Sequence, residues 1–137
     1  MVMKGNAMHY YHGVVHKDED SAFGVSFPDL EGCFSAADDL ESVVREATDA
    51  VSLYFENNDR VIEPSSIETI RDLAKEDLAN GAFLILVPHI AASNTPTRIN
   101  ISLDSGILAA IDTAASARKL TRSAFLAQAA RNEIVGR

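Results

Sequence analysis

Residues 97–103 read Thr-Arg-Ile-Asn-Ile-Ser-Leu, an alternation without a break. In an extended chain Ile99, Ile101 and Leu103 point one way, and Arg98, Asn100 and Ser102 point the other. Two helical patterns follow. Asp104 or Ser105 starts the first, whose buried stripe is Ile107, Leu108, Ile111, Ala114 and Ala115. Arg118-Lys119-Leu120 makes the turn, and Thr121 is a good N-cap for the second, with Phe125, Leu126, Ala129, Ala130 and Ile134 apolar. One strand and two short helices have no edge partner within the chain, and about 40 residues rarely hold a core unaided. Pairing with the same strand of a second copy meets both needs. A homodimer through residues 97–137 is therefore expected, its ribbon apolar beneath and polar above.

Working back from that segment, Ala91 to Pro96 is small and polar and reads as a linker, residues 91–96. Before it, residues 8–90 read as strands followed by helices. Tyr10 to Val15 is rich in aromatic and β-branched residues, and Phe23 to Phe27 alternates with a period of two. The polar run Lys17 to Ser21 suits a hairpin loop between them. Pro28-Asp29 and Glu31-Gly32 punctuate a turn, and Cys33 to Ala36 returns as a third strand. Asp38 or Asp39 caps a long helix reaching about Asn57, with Leu40, Val43, Val44, Ala47, Val51, Tyr54 and Phe55 on one stripe. Asn57-Asn58-Asp59 ends it, and Arg60-Val61-Ile62 reads as a short extended piece. Ser65 and Glu68 have capping-box spacing for another helix, with Ile67, Ile70, Leu73, Ala74 and Leu78 on its buried side and Asn80-Gly81 at its end. The apolar run Ala82 to Val87 is expected as a fully buried strand. The fold class is α+β, in the order βββα(α)β.

Charge divides along the same seam. The net charge is −8, yet residues 1–92 hold seventeen acidic against six basic residues, and residues 93–137 hold three against six. Phosphates repel the first surface and attract the second, so the two modules suit different partners. Residues 82–87 are far too few to cross a bilayer, which needs roughly 20. No membrane association is expected. Residues 1–7 lack the regions of a secretory signal and read as a cloning scar rather than a native extension. Cys33 is the single cysteine, so the chain forms no internal disulfide and the cytoplasm is the expected compartment.

Two stretches resemble known families. RINISL with two helices around RKLTRS, residues 98–103 and 118–123, resembles the ribbon-helix-helix fold of small bacterial repressors. In that fold a two-stranded ribbon enters the major groove. The resemblance implies Arg98, Asn100 and Ser102 as base readers, and Thr121, Arg122 and Ser123 as a phosphate clamp at a helix N-terminus. The stretch from His16 to Val51 resembles the N-terminal domain of HicB-type antitoxins, with Gly24-Val25, Pro28-Asp29-Leu30, Gly32-Cys33 and Ser35 in matching positions. Ala37 stands where that family commonly has glycine. The resemblance implies a partial, non-catalytic ribonuclease H-like domain that binds a HicA-type toxin, a small basic protein that cleaves messenger RNA. It also implies a tail that represses the operon through operator DNA. It does not name the toxin-contact residues.

Rival chemistry is thinly supported. Two-metal nucleases need carboxylates converging from strand ends, and here most carboxylates fall in the hairpin loop or on helix faces. On a strand His12 and His16 share a face while His9 opposes them, so a zinc site is not expected. Cys33 has no neighbouring nucleophile motif and reads as a buried small hydrophobe. Neither enzymatic activity nor a cofactor is expected. A second reading of the same body is a stand-alone ribbon-helix-helix regulator with an N-terminal sensing or oligomerisation domain, although no glycine-rich phosphate loop supports sensing. Pairing of the N-terminal domains as well would give a tetramer.

Overall fold

The computed structural model describes residues 8–56, 60–91 and 95–136. The expected scar, the Asn57-Asn58-Asp59 helix end and the centre of the linker lie outside them. The chain divides into two compact units parted at Ala91.

In the first unit, β1 (Met8–Lys17), β2 (Phe23–Ser26), β3 (Phe34–Ala37) and β4 (Phe83–Ile90) form one antiparallel sheet in the order β3-β2-β1-β4. The β1–β2 register pairs Lys17 with Phe23, which leaves a five-residue hairpin loop. Within it Asp20 is left-handed at φ 62°, and Ser21 Oγ accepts from the Asp18 N–H at 3.0 Å. The sheet alternates strictly, so Tyr11, Gly13, Val15, Val25, Ala37, Ile85 and Val87 share one face. Against that face lies α1 (Leu40–Glu56), burying Val43, Ala47, Thr48 and Val51. Asp39 is its capping side chain, accepting from the Ser42 N–H at 2.8 Å. Leu40 and Val44, expected on the buried stripe, are exposed instead: they flank the line that Val43, Ala47 and Val51 press onto the sheet.

Three further expectations needed correction. Ser65 is not the cap of the second helix; α2 (Ile67–Leu73) begins one residue later, with Ser66 Oγ accepting from the Thr69 N–H at 3.2 Å. Ser65 is held elsewhere, by Asp29. The helix also breaks at Ala74 into α2 and α3 (Lys75–Ala79), leaving only Ile70 and Ala74 buried. The Ala74 N–H still reaches the Ile70 carbonyl, and the Leu78 N–H the Ala74 carbonyl, both at 2.9 Å. A bend that sacrifices so little of the ladder leaves no mark on the periodicity. Gly81, at φ 101°, closes α3 as a Schellman end, with the Ala82 N–H donating to the Asp77 carbonyl and the Gly81 N–H to that of Leu78.

The third concerns β4. It runs through Pro88 to Ile90, and only Val87 is buried. As the outer strand of the sheet it tolerates proline, and one side of it faces away from α1, which leaves Leu86 half exposed. Residues 60–66 form neither strand nor helix.

In the second unit, α4 (Ser105–Ala117) is capped by Asp104, whose carboxylate accepts from the Gly106 and Ile107 N–H groups. It ends in the same Schellman pattern as α3. Here Lys119, at φ 58°, stands at the left-handed position, the Leu120 N–H donating to the Ala115 carbonyl and the Lys119 N–H to that of Ser116. The second helix of the unit, α5 (Arg122–Ile134), follows, with Thr121 Oγ1 accepting from the Ala124 N–H at 3.1 Å. Among the described residues of this unit only Ala115 is buried. Residues 95–104 are neither strand nor helix in the lone protomer, and Ile99 and Ile101 are 71% and 58% exposed.

Candidate functional site

Two places carry the residues singled out above. The first is the turn from Phe27 to Cys33. The Leu30 N–H donates to the Phe27 carbonyl and the Cys33 N–H to that of Leu30, at 3.0 and 3.1 Å, with Gly32 at φ 86°. These paired turns bury Leu30 and Cys33 and aim Asp29 across the domain. Its carboxylate accepts from the Ser65 N–H at 2.8 Å and the Ser65 hydroxyl at 2.6 Å. A second tie lies nearby: the Tyr11 hydroxyl donates to the Ile62 carbonyl at 2.6 Å. Burial, reinforced by Glu63 and Asp29, pushes that phenol up to about 12. The Pro-Asp-Leu segment is thus architectural, fastening the stretch before α2 onto the sheet. Ala37 packs its methyl group into the core at the position where glycine was the expected pattern.

Cys33 donates to the Ala50 carbonyl at 3.7 Å, and burial pushes its thiol up to about 11. An unactivated thiol of this kind is a packing residue. His12 and His16 share one face of β1, and His9 lies on the other, beside the Tyr11 hydroxyl. Among the described residues no three His, Cys, Asp or Glu side chains stand close enough together to hold a metal ion. Nor is any described helix long and apolar enough to cross a membrane.

The second place is the C-terminal unit. Arg98, Asn100 and Ser102 are exposed on a segment whose apolar alternates are exposed as well. Thr121, Arg122 and Ser123 come together at the start of α5, where the Arg122 and Ser123 N–H groups have no acceptor within the helix. One feature there was invisible in the sequence. Arg122 donates through Nε and Nη2 to the two carboxylate oxygens of Asp112, at 2.9 and 2.8 Å. That hydrogen-bonded guanidinium holds the Asp112 carboxyl below its usual range and raises Arg122 in turn. Their separation of ten positions matches no helical spacing, so only the turn at Lys119 brings them together.

A single family model, the HicB-like antitoxins of bacterial toxin-antitoxin systems, matches residues 11–130 and so runs through both units. This chain belongs to the HicB-like antitoxin family. Among solved structures, the antitoxin HicB of Burkholderia pseudomallei is 30% identical, with a TM-score of 0.51 over 92% of this HicB-like chain and 96% of that one. The antitoxin HicB3 is 25% identical, with a TM-score of 0.50 over 92% and 98% of the two chains. A HicA3–HicB3 toxin-antitoxin complex contains a chain 25% identical, with a TM-score of 0.46 over 57% of this chain and 94% of that one. No curated protein matches.

Proposed function

We propose that this HicB-like antitoxin neutralises a HicA-type toxin through residues 8–90 and represses its own operon through a dimeric ribbon-helix-helix, residues 97–137, acting in the cytoplasm. The observation that carries this reading is the family match itself, which continues past Ala91 to residue 130 and so embraces the basic tail as well as the acidic domain. Charge supports the division of labour. An acidic first unit attracts a basic RNA-binding partner and speeds encounter, whereas a basic second unit suits phosphates. The dimer is supported by the want of a core: a unit whose described residues bury only Ala115 needs a second copy to cover Ile99, Ile101 and Leu103. The residues proposed to read base edges are Arg98, Asn100 and Ser102, with Thr121, Arg122 and Ser123 on the backbone.

Titration of a duplex carrying the promoter of the protein's own gene tests the DNA role. Arg98→Ala is expected to erase preference at one base pair, at a cost of about 1–3 kcal/mol, while leaving binding to scrambled duplex unchanged. An Arg98→Ala protein with undiminished affinity and base preference rules out the ribbon as reader. The toxin role is tested by isolating the tagged chain from its native cells: a small basic protein is expected to accompany it.

A further inference from the structure

We propose that Asp112 sets the strength of DNA binding, acting as a positioning residue that draws Arg122 away from phosphate; this rests on the DNA reading above. Arg122 opens α5, beside N–H groups that have no acceptor in the helix and at the positive end of the helix dipole. A phosphate drawn there would be met by the guanidinium fork through two parallel N–H bonds, as a carboxylate is. One edge of that fork is already taken. Nε and Nη2 go to Asp112 Oδ1 and Oδ2 at 2.9 and 2.8 Å, so the carboxylate occupies one of the two bidentate edges a phosphate could use and offsets the charge of the whole guanidinium. The two side chains are 55% and 45% exposed, so the pair is open to water and exchangeable rather than a buried strut. DNA must either displace Asp112 or settle for a neutralised clamp. In both cases the grip is weaker than the cation alone would give.

The test titrates the full-length protein and its Asp112→Asn, Arg122→Ala and doubly substituted forms against the promoter duplex and a scrambled duplex over a range of salt. Asp112→Asn is expected to tighten binding roughly tenfold for the dimer near 0.1 M salt and to steepen the plot of log affinity against log salt by about one per protomer. Arg122→Ala is expected to weaken binding and flatten the plot by about one per protomer, and the double substitution to restore the parent slope. The scrambled duplex should follow the same pattern, because phosphates carry no sequence. Both single substitutions break the same ion pair. A mere folding defect would therefore move them in the same direction, and thermal midpoints recorded alongside would report it. An Asp112→Asn protein that binds no more tightly, or less tightly, overturns the proposal. A parent protein whose binding ignores salt instead removes the DNA reading, and this inference falls with it.

Discussion

Asp29 fixes Ser65 at two atoms, and neither bond follows from the spacing of the two residues, thirty-six positions apart. Truncating it strands a partly buried donor pair, which costs about 1–3 kcal/mol. Asp29→Ala should therefore lower the urea midpoint of the first unit, and an unchanged midpoint would deny the clasp its role. Tyr11 makes a prediction in pH. Its folded phenol titrates near 12 against an ordinary 10, so the folded state keeps a proton that the unfolded chain releases. The stabilising contribution is whole below about pH 10 and is lost as pH rises towards 12. Tyr11→Phe should flatten that alkaline decline in denaturation midpoints measured from pH 9 to 12. Cys33, similarly raised, should react slowly with alkylating reagents at pH 8 in the native protein and readily in urea. At this scale the sequence exposed residue types but not partners. Cys33 was readable as a buried hydrophobe, whereas Asp112 lay unsuspected because a turn, rather than a period, delivers it to Arg122.

Elements were more legible, because periodicity records which face is covered. The alternation at Phe23 to Phe27 and the stripe through Val43, Ala47 and Val51 translate directly into β2 and α1. The misreadings of burial share a cause: burial depends on neighbours that a single segment does not display. The run from Ala82 to Val87 is apolar throughout, yet β4 lies at the sheet margin and keeps one side uncovered. Gly13 shows the converse. A Cβ there would stand 2.8 Å from Val25 Cγ1 and 3.2 Å from both Ile85 and Phe27, so the centre of β1 has no room for a methyl group. Gly13→Ala should destabilise the unit by about 1–3 kcal/mol in urea denaturation, and a neutral result would mean the sheet yields there more easily than its packing implies. The segment 97–103, with Ile99 and Ile101 exposed in a single chain, is the one proposed to pair with a second copy. Ile101→Asp is expected to leave α4 and α5 without a shared core and to shift sedimentation from dimer to monomer. Retention of the dimer would remove the ribbon as the contact.

Over the whole molecule, the division of charge matches the division of structure: an acidic α+β unit with a developed core precedes a basic unit that buries almost nothing alone. Family membership gives that pairing its meaning, since an antitoxin has a toxin to meet. The class of fold and the two-part plan were readable from patterning and charge. The contact face for the toxin was not, because acidic residues are scattered over loops and helices without a period that would single out one surface. The most direct measurement looks beside this gene for a reading frame encoding a small basic protein, expresses it alone and together with the full chain, and follows growth and co-purification. Growth arrest by the small protein, relieved when the full chain is present and bound to it, is the predicted result. Arrest that persists while the full chain is abundant and unbound would contradict the account.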